Sequence, residues 1–141
     1  MRHITINTIQ ETAILDVIRH NMEDTTIFVC SSCFNDAENC TCGRFEAEKI
    51  EIDKNMQEIL KNLNAKNYKT VFSCESHFDK QLPQIYIKFV KDYGFSFLPD
   101  GFSYKRRFRI VEHLNRNKKP DKFEAEKKNC LKNLLVWSEK I

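Results

Sequence analysis

Four of the six cysteines, Cys30, Cys33, Cys40 and Cys42, fall within thirteen residues in the order C-x2-C-x6-C-x-C. Thiolates this close in sequence can converge on one tetrahedral ion, the usual way a short loop-rich segment acquires a fixed shape. The C-x2-C pair can form a tight knuckle, the C-x-C pair can return two more sulfurs from a turning segment, and Gly43 permits a sharp exit. The expected cofactor is a structural Zn2+ at all four cysteines, with residues 25–52 as the zinc-binding subregion. Four thiolates leave no open coordination position, so such an ion cannot activate water. That argues against a zinc hydrolase or deaminase, and there is no H-x-E or H-E-x-x-H pattern to revive one. Two alternatives stay open: His77 or Cys74 replacing one ligand, and pairing of the cysteines as disulfides.

A second group, Ser73-Cys74-Glu75-Ser76-His77, follows a β-prone run, Lys69 to Phe72. Strand ends are where a rigid scaffold presents functional side chains, so Ser73, Cys74 and His77 are candidate ligand-binding residues. A Cys74–His77 nucleophile is conceivable, yet this spacing matches no protease or hydrolase signature. The third group is basic: Tyr104-Lys105-Arg106-Arg107-Phe108-Arg109, then His113, Arg116, Lys118 and Lys119. As an extended strand it would put Lys105, Arg107 and Arg109 on one face, about 7 Å apart, near the phosphate repeat of an extended nucleic-acid strand. Aromatic side chains of the 93–104 loop could add base stacking. The competing reading is a solvated strand face or an edge guard.

The elements that must position these groups are legible in outline. Ile14, Leu15, Val17 and Ile18 suggest a short helix over Ile9–His20, with Thr8 as its cap. Thr25–Val29 is β-branched and aromatic and reads as a strand entering the cysteine loop, and Phe45–Ile52 leans to a second strand. Asp53 is a plausible N-cap for a helix burying Met56, Ile59, Leu60 and Leu63, ended by Asn64–Asn67. Lys69–Ser73 reads as a buried strand and Gln84–Val90 as another. Arg107–Val111 alternates with period two, setting Phe108 and Ile110 against both arginines. After Pro120, Asp121 can cap a last helix whose stripe is Phe123, Cys130, Leu131, Leu134 and Leu135, with Trp137 near its end. The sum is an α+β fold in one domain, 1–141: a largely antiparallel sheet, about three helices and a zinc-knuckle-like four-cysteine loop.

Composition narrows the class. Apolar residues are 41% and charged residues 30%, an ordinary globular balance. No apolar run approaches the roughly 20 residues of a membrane span, and Met1-Arg2-His3-Ile4-Thr5 is no signal peptide, so a cytoplasmic location with reduced thiols is expected. From Asp100 onward twelve Lys/Arg meet six Asp/Glu, whereas the first 99 residues hold eleven against fourteen. A basic final third attracts phosphate.

The passage Glu51-Ile52-Asp53-Lys54 … Asn67-Tyr68-Lys69-Thr70-Val71-Phe72-Ser73-Cys74-Glu75-Ser76-His77 resembles small uncharacterised proteins of phages and mobile elements of Gram-positive bacteria. Their pattern is a cysteine-rich start, a helix, and a strand reading G-Y-K-T-x-F-S-C-x-G-H; the likeness covers Cys30 to Phe89. A weaker one, confined to helix, strand and turn, extends to the wybutosine-synthesis methyltransferases of tRNA modification, with their S-C-S-G-R turn. Here Asn67 stands where the phage-type pattern has glycine, Ser76 where both have glycine, and His77 where the tRNA enzymes have arginine. The resemblance implies a zinc-stabilised accessory protein, with interference in a host defence system such as CRISPR as a natural role. Its partner would be nucleic acid, a nucleotide, or a host protein complex that handles nucleic acid. The alternative is a nucleotide- or tRNA-modifying enzyme using His77 or Cys74, against which stands the lack of a P-loop, a dinucleotide loop or a spaced carboxylate pair. A protein-binding inhibitor with an aromatic patch at Phe95–Phe102 is the third possibility.

Overall fold

The computed structural model describes residues 25–43, 47–76 and 83–141. The expected helix at Ile9–His20 lies outside them, as does His77. The fold is mixed α+β with antiparallel sheets. Strand β1 (Thr26–Cys30) pairs with β2 (Lys49–Asp53), Val29 opposite Ile50. A 3-10 turn, Lys54–Met56, leads into helix α1 (Gln57–Ala65). Then come β3 (Thr70–Glu75), β4 (Gln84–Phe89), β5 (Ser103–Lys105) and β6 (Ile110–Leu114), and last helix α2 (Pro120–Lys140). The second sheet has the order β3-β4-β6-β5. Two α-helices are present among the described residues, against about three expected.

One buried cluster joins Val29, Phe34 and Ile52 to Met56, Ile59, Leu60 and Leu63 of the α1 region, Ile85, Ile87 and Phe89 of β4, and Cys130, Leu134 and Trp137 of α2. Period 3.6 in the helices and period two in β4 aim these side chains at one another. Asn64 fixes the turn after α1: its amide donates to Leu60 O and Thr70 Oγ1, and its carbonyl accepts from Thr70 N. No helix among the described residues is long and apolar enough to cross a membrane.

Four expectations need correction. Asp53 does not cap α1 with its side chain; Oδ2 instead accepts the Glu75 N–H at 2.9 Å, tying β2 to β3. Lys119 is the N-cap of α2, with Pro120 in the first turn, where proline's missing N–H costs nothing; Asp121 follows it, facing the helix dipole. β3 is not a buried strand: its register shifts between Thr70 and Phe72, and Val71 and Phe72 are 45% and 51% exposed. The 107–111 ladder is broken, since Arg106–Phe108 is a 3-10 turn and Arg109 is left-handed (φ 58°). β5, this turn and β6 form a hairpin, so Lys105, Arg107 and Arg109 do not share a strand face.

Candidate functional site

The cysteine loop springs from the end of β1. Cys30 N donates to Asn35 O and Phe34 N to Cys30 O, and left-handed Phe34 (φ 60°) turns its ring into the core, 4% exposed. Gln57 of α1 holds the loop from below, donating to Phe34 O and Asp36 Oδ1. The four sulfurs of Cys30, Cys33, Cys40 and Cys42 all lie within 4.8 Å of one another. Cys30–Cys42, Cys33–Cys40 and Cys40–Cys42 are 3.8, 3.6 and 3.4 Å apart. A tetrahedron with metal–sulfur bonds of about 2.3 Å has sulfur–sulfur edges of about 3.8 Å. All six cysteines are free, and Cys74 is not among the clustered four.

Backbone donors are aimed at these sulfurs. The Cys33 N–H, opposed by burial and helped by the Ser32 N–H (3.4 Å), holds the Cys30 thiol down at about 6. At Cys40 the Cys42 N–H pulls down, but the neighbouring thiols of Cys42, Cys30 and Cys33 and burial together push it up to about 12. Four crowded thiols cannot all ionise unless a cation replaces their protons. The cluster is therefore a chelating geometry, its four sulfurs spaced to hold a metal ion.

At the end of β3 the side chains alternate. Ser73 and Glu75 are buried, and Cys74 is half-buried on the opposite face, across from Tyr86. Burial first, then Cys74 and Asp53, raise the Tyr86 phenol and keep it neutral. Glu75, 1% exposed, accepts from Asn55 (2.8 Å) and pairs with Lys127 of α2 (3.2 Å). Ser76 is fully buried with φ 77°. Sequence reading missed this polar knot because Asn55, Glu75 and Lys127 lie on three separate elements. Ser73 and Glu75 thus face inward, and Cys74 is the member of the described turn that faces out.

The basic residues meet at one end of the second sheet. Thr70 lies opposite Phe89, Lys88 opposite Ile110 and Ile110 opposite Lys105, so one end gathers the start of β3 and β6 and the close of β4 and β5. Lys69, Lys88 and Lys91 thereby join Lys105, Arg106, Arg107 and Arg109. Four strands about 4.8 Å apart make this edge roughly 14 Å wide. Asp92 is the carboxylate interposed: it pairs with Arg106 (3.1 Å) and accepts from the Tyr104 hydroxyl. Arg109 Nη1 donates to Val90 O. Lys105 and Arg107 make no ion pair among the described residues, and the Arg107 guanidinium lies 5.7 Å from the Phe108 ring. The alternation of Gln84–Phe89 would have placed Lys88; nothing local announces Lys69 or Lys91. In the aromatic loop Phe95 is taken up by packing against Tyr68, Phe89, Tyr104 and Trp137, whereas Phe97 is 45% exposed.

Burial, and then the bond to Asp92, push the Tyr104 phenol up to about 12. A group raised on folding contributes stability that is complete below its unfolded value, near 10, and lost as pH rises through the folded one. Alkaline denaturation is therefore expected to gain a component between about pH 10 and 12 that Tyr104→Phe removes. Absorbance titration of phenolate alongside circular dichroism measures both. No family model, curated protein or solved structure matches this chain.

Proposed function

We propose that this chain is a non-enzymatic, zinc-stabilised binding protein that takes a phosphate-bearing partner at the basic end of its four-stranded sheet. The observation that carries the reading is the strand register, which gathers Lys69, Lys88 and Lys91 beside the Lys105–Arg109 hairpin. Of the nearby carboxylates, Asp92 pairs with Arg106, and Glu112, two residues along β6 from Ile110, accepts from Gln84. Lys105 and Arg107 supply free charge; Arg106 and Arg109 are partly spent on Asp92 and Val90. The cysteine cluster supports the structural half of the proposal, because its sulfur spacing suits a zinc ion. Asn67 and Ser76, standing where the phage-type pattern has glycine, adopt φ of 69° and 77°, the left-handed region that glycine enters most readily. On that likeness the partner is nucleic acid, a nucleotide or a host complex handling nucleic acid, and the role is to counter host defence in the cytoplasm.

Titration of the folded protein with fluorescent polyphosphate and nucleic acid at low salt tests this. Engaging three phosphates of a flexible strand gives a log K against log salt slope of about −2. Lys105→Glu with Arg107→Glu is expected to weaken binding at least about tenfold and to flatten that slope by about 1.4. Folded protein that ignores polyphosphate, RNA, DNA and nucleotides at low salt would sink the reading.

A further inference from the structure

We infer that the partner is a single-stranded nucleic acid whose bases stack on Phe72 and Phe108, and this rests on the reading that the basic end binds phosphate. The register sorts the faces of the second sheet. Ile85, Ile87, Val111 and Glu75 turn inward, where Glu75 meets Lys127 of α2. The opposite face carries a cross-strand row in which Phe72 pairs with Lys88, Lys88 with Ile110 and Ile110 with Lys105. Phe72 owes its place to the shift after Thr70, which turns it out beside Lys88. It is 51% exposed, and Phe108, on the hairpin tip among the arginines, is 57% exposed.

Phe72 thus stands at the β3 end of a cross-strand row roughly 14 Å wide that carries Lys88 and Lys105. Phe108 lies on the β5–β6 hairpin tip at the same end of the sheet. The row is the span of about two to three phosphates in an extended strand. A duplex keeps its base faces stacked inside and offers such rings nothing but charge; an unpaired base has a free π-face. Arg107 beside the Phe108 ring adds a guanidinium plane to the same platform. Stacking of this kind is tolerant of sequence, so no particular base is required.

The test compares a short labelled polyuridine RNA, its duplex with polyadenosine, and polyphosphate of similar length, all at low salt. Single-stranded RNA should bind more tightly than the other two. Phe108→Ala and Phe72→Ala should each weaken RNA binding by about 5- to 100-fold, leave polyphosphate affinity unchanged and leave melting temperature within a few degrees. Phe108→Trp should retain RNA binding, since it preserves the ring. Equal affinity for RNA and polyphosphate, or alanine variants that weaken both alike, would overturn the inference while the phosphate reading stood. Absence of binding to any of the three would remove the phosphate reading itself.

Discussion

Stripping the metal with a strong chelator is expected to lower the melting temperature by roughly 15–25 °C, corresponding to about 5 kcal/mol of lost stability. Structural zinc sites contribute binding energy of roughly 10 kcal/mol or more to folding. The expected loss is smaller than that, because Phe34 packing into the core and the Gln57 hydrogen bonds hold the loop independently of an ion. Metal analysis of the native protein should return one zinc per chain. The cysteines should also be graded. Cys30 is buried at the end of β1 and receives backbone donors, so Cys30→Ser should approach the chelated protein. Cys42 is exposed, and Cys42→Ser should retain the ion with weakened affinity. A metal-free native protein, or a melting curve indifferent to both chelator and Cys30→Ser, would refute the site.

The clustering of Cys30, Cys33, Cys40 and Cys42 was legible because their relation is local: four thiols within thirteen residues can meet through the turns of one loop. The α1 face was legible for the same reason, with Met56, Ile59, Leu60 and Leu63 all buried as their spacing requires. The arginine ladder was not. Period-two alternation assumes extended backbone, and a single left-handed residue, Arg109, folds Arg106–Phe108 into a turn and cancels the pattern. β3 failed differently, since a one-residue shift after Thr70 exposes an apolar pair whose composition reads as core. The gathering of Lys69, Lys88 and Lys91 depends on which strands neighbour which, information that composition does not carry. The larger surface therefore emerged from register, whereas the four-cysteine cluster emerged from spacing.

The two halves are coupled through Asp53. β2 begins beside the cysteine loop, where Lys49 pairs with Cys30, and ends at Asp53, whose carboxylate receives the Glu75 N–H. An ion that fixes β1 and β2 thus fixes the anchor of β3, the strand that carries Phe72. Loss of zinc should loosen the sheet edge as well as the loop.

Lys127→Met is expected to destabilise the protein by about 3–5 kcal/mol, the second-largest effect foreseen. Lys127 is the cation paired with Glu75, whose side chain is 1% exposed, and its removal leaves Asn55 as the remaining partner in hand for that carboxylate. Burying an ion without its counterion is what makes such a loss large; the intact pair contributes far less, because both charges gave up water to form it. The double variant Glu75→Leu, Lys127→Met should accordingly recover most of the deficit, giving a favourable coupling that exceeds about 2 kcal/mol in a double-mutant cycle. The Arg106–Asp92 pair is the internal contrast, with side chains 71% and 38% exposed, and Arg106→Ala should cost under about 1 kcal/mol. Chemical denaturation of the wild type, Glu75→Leu, Lys127→Met, the double variant and Arg106→Ala separates these cases. If Lys127→Met costs no more than Arg106→Ala, Glu75 is hydrated in solution and the knot between β3 and α2 is not closed. If instead the single variant is costly and the double is not, the cost is that of stranding the Glu75 charge, and apolar packing between β3 and α2 replaces the intact pair.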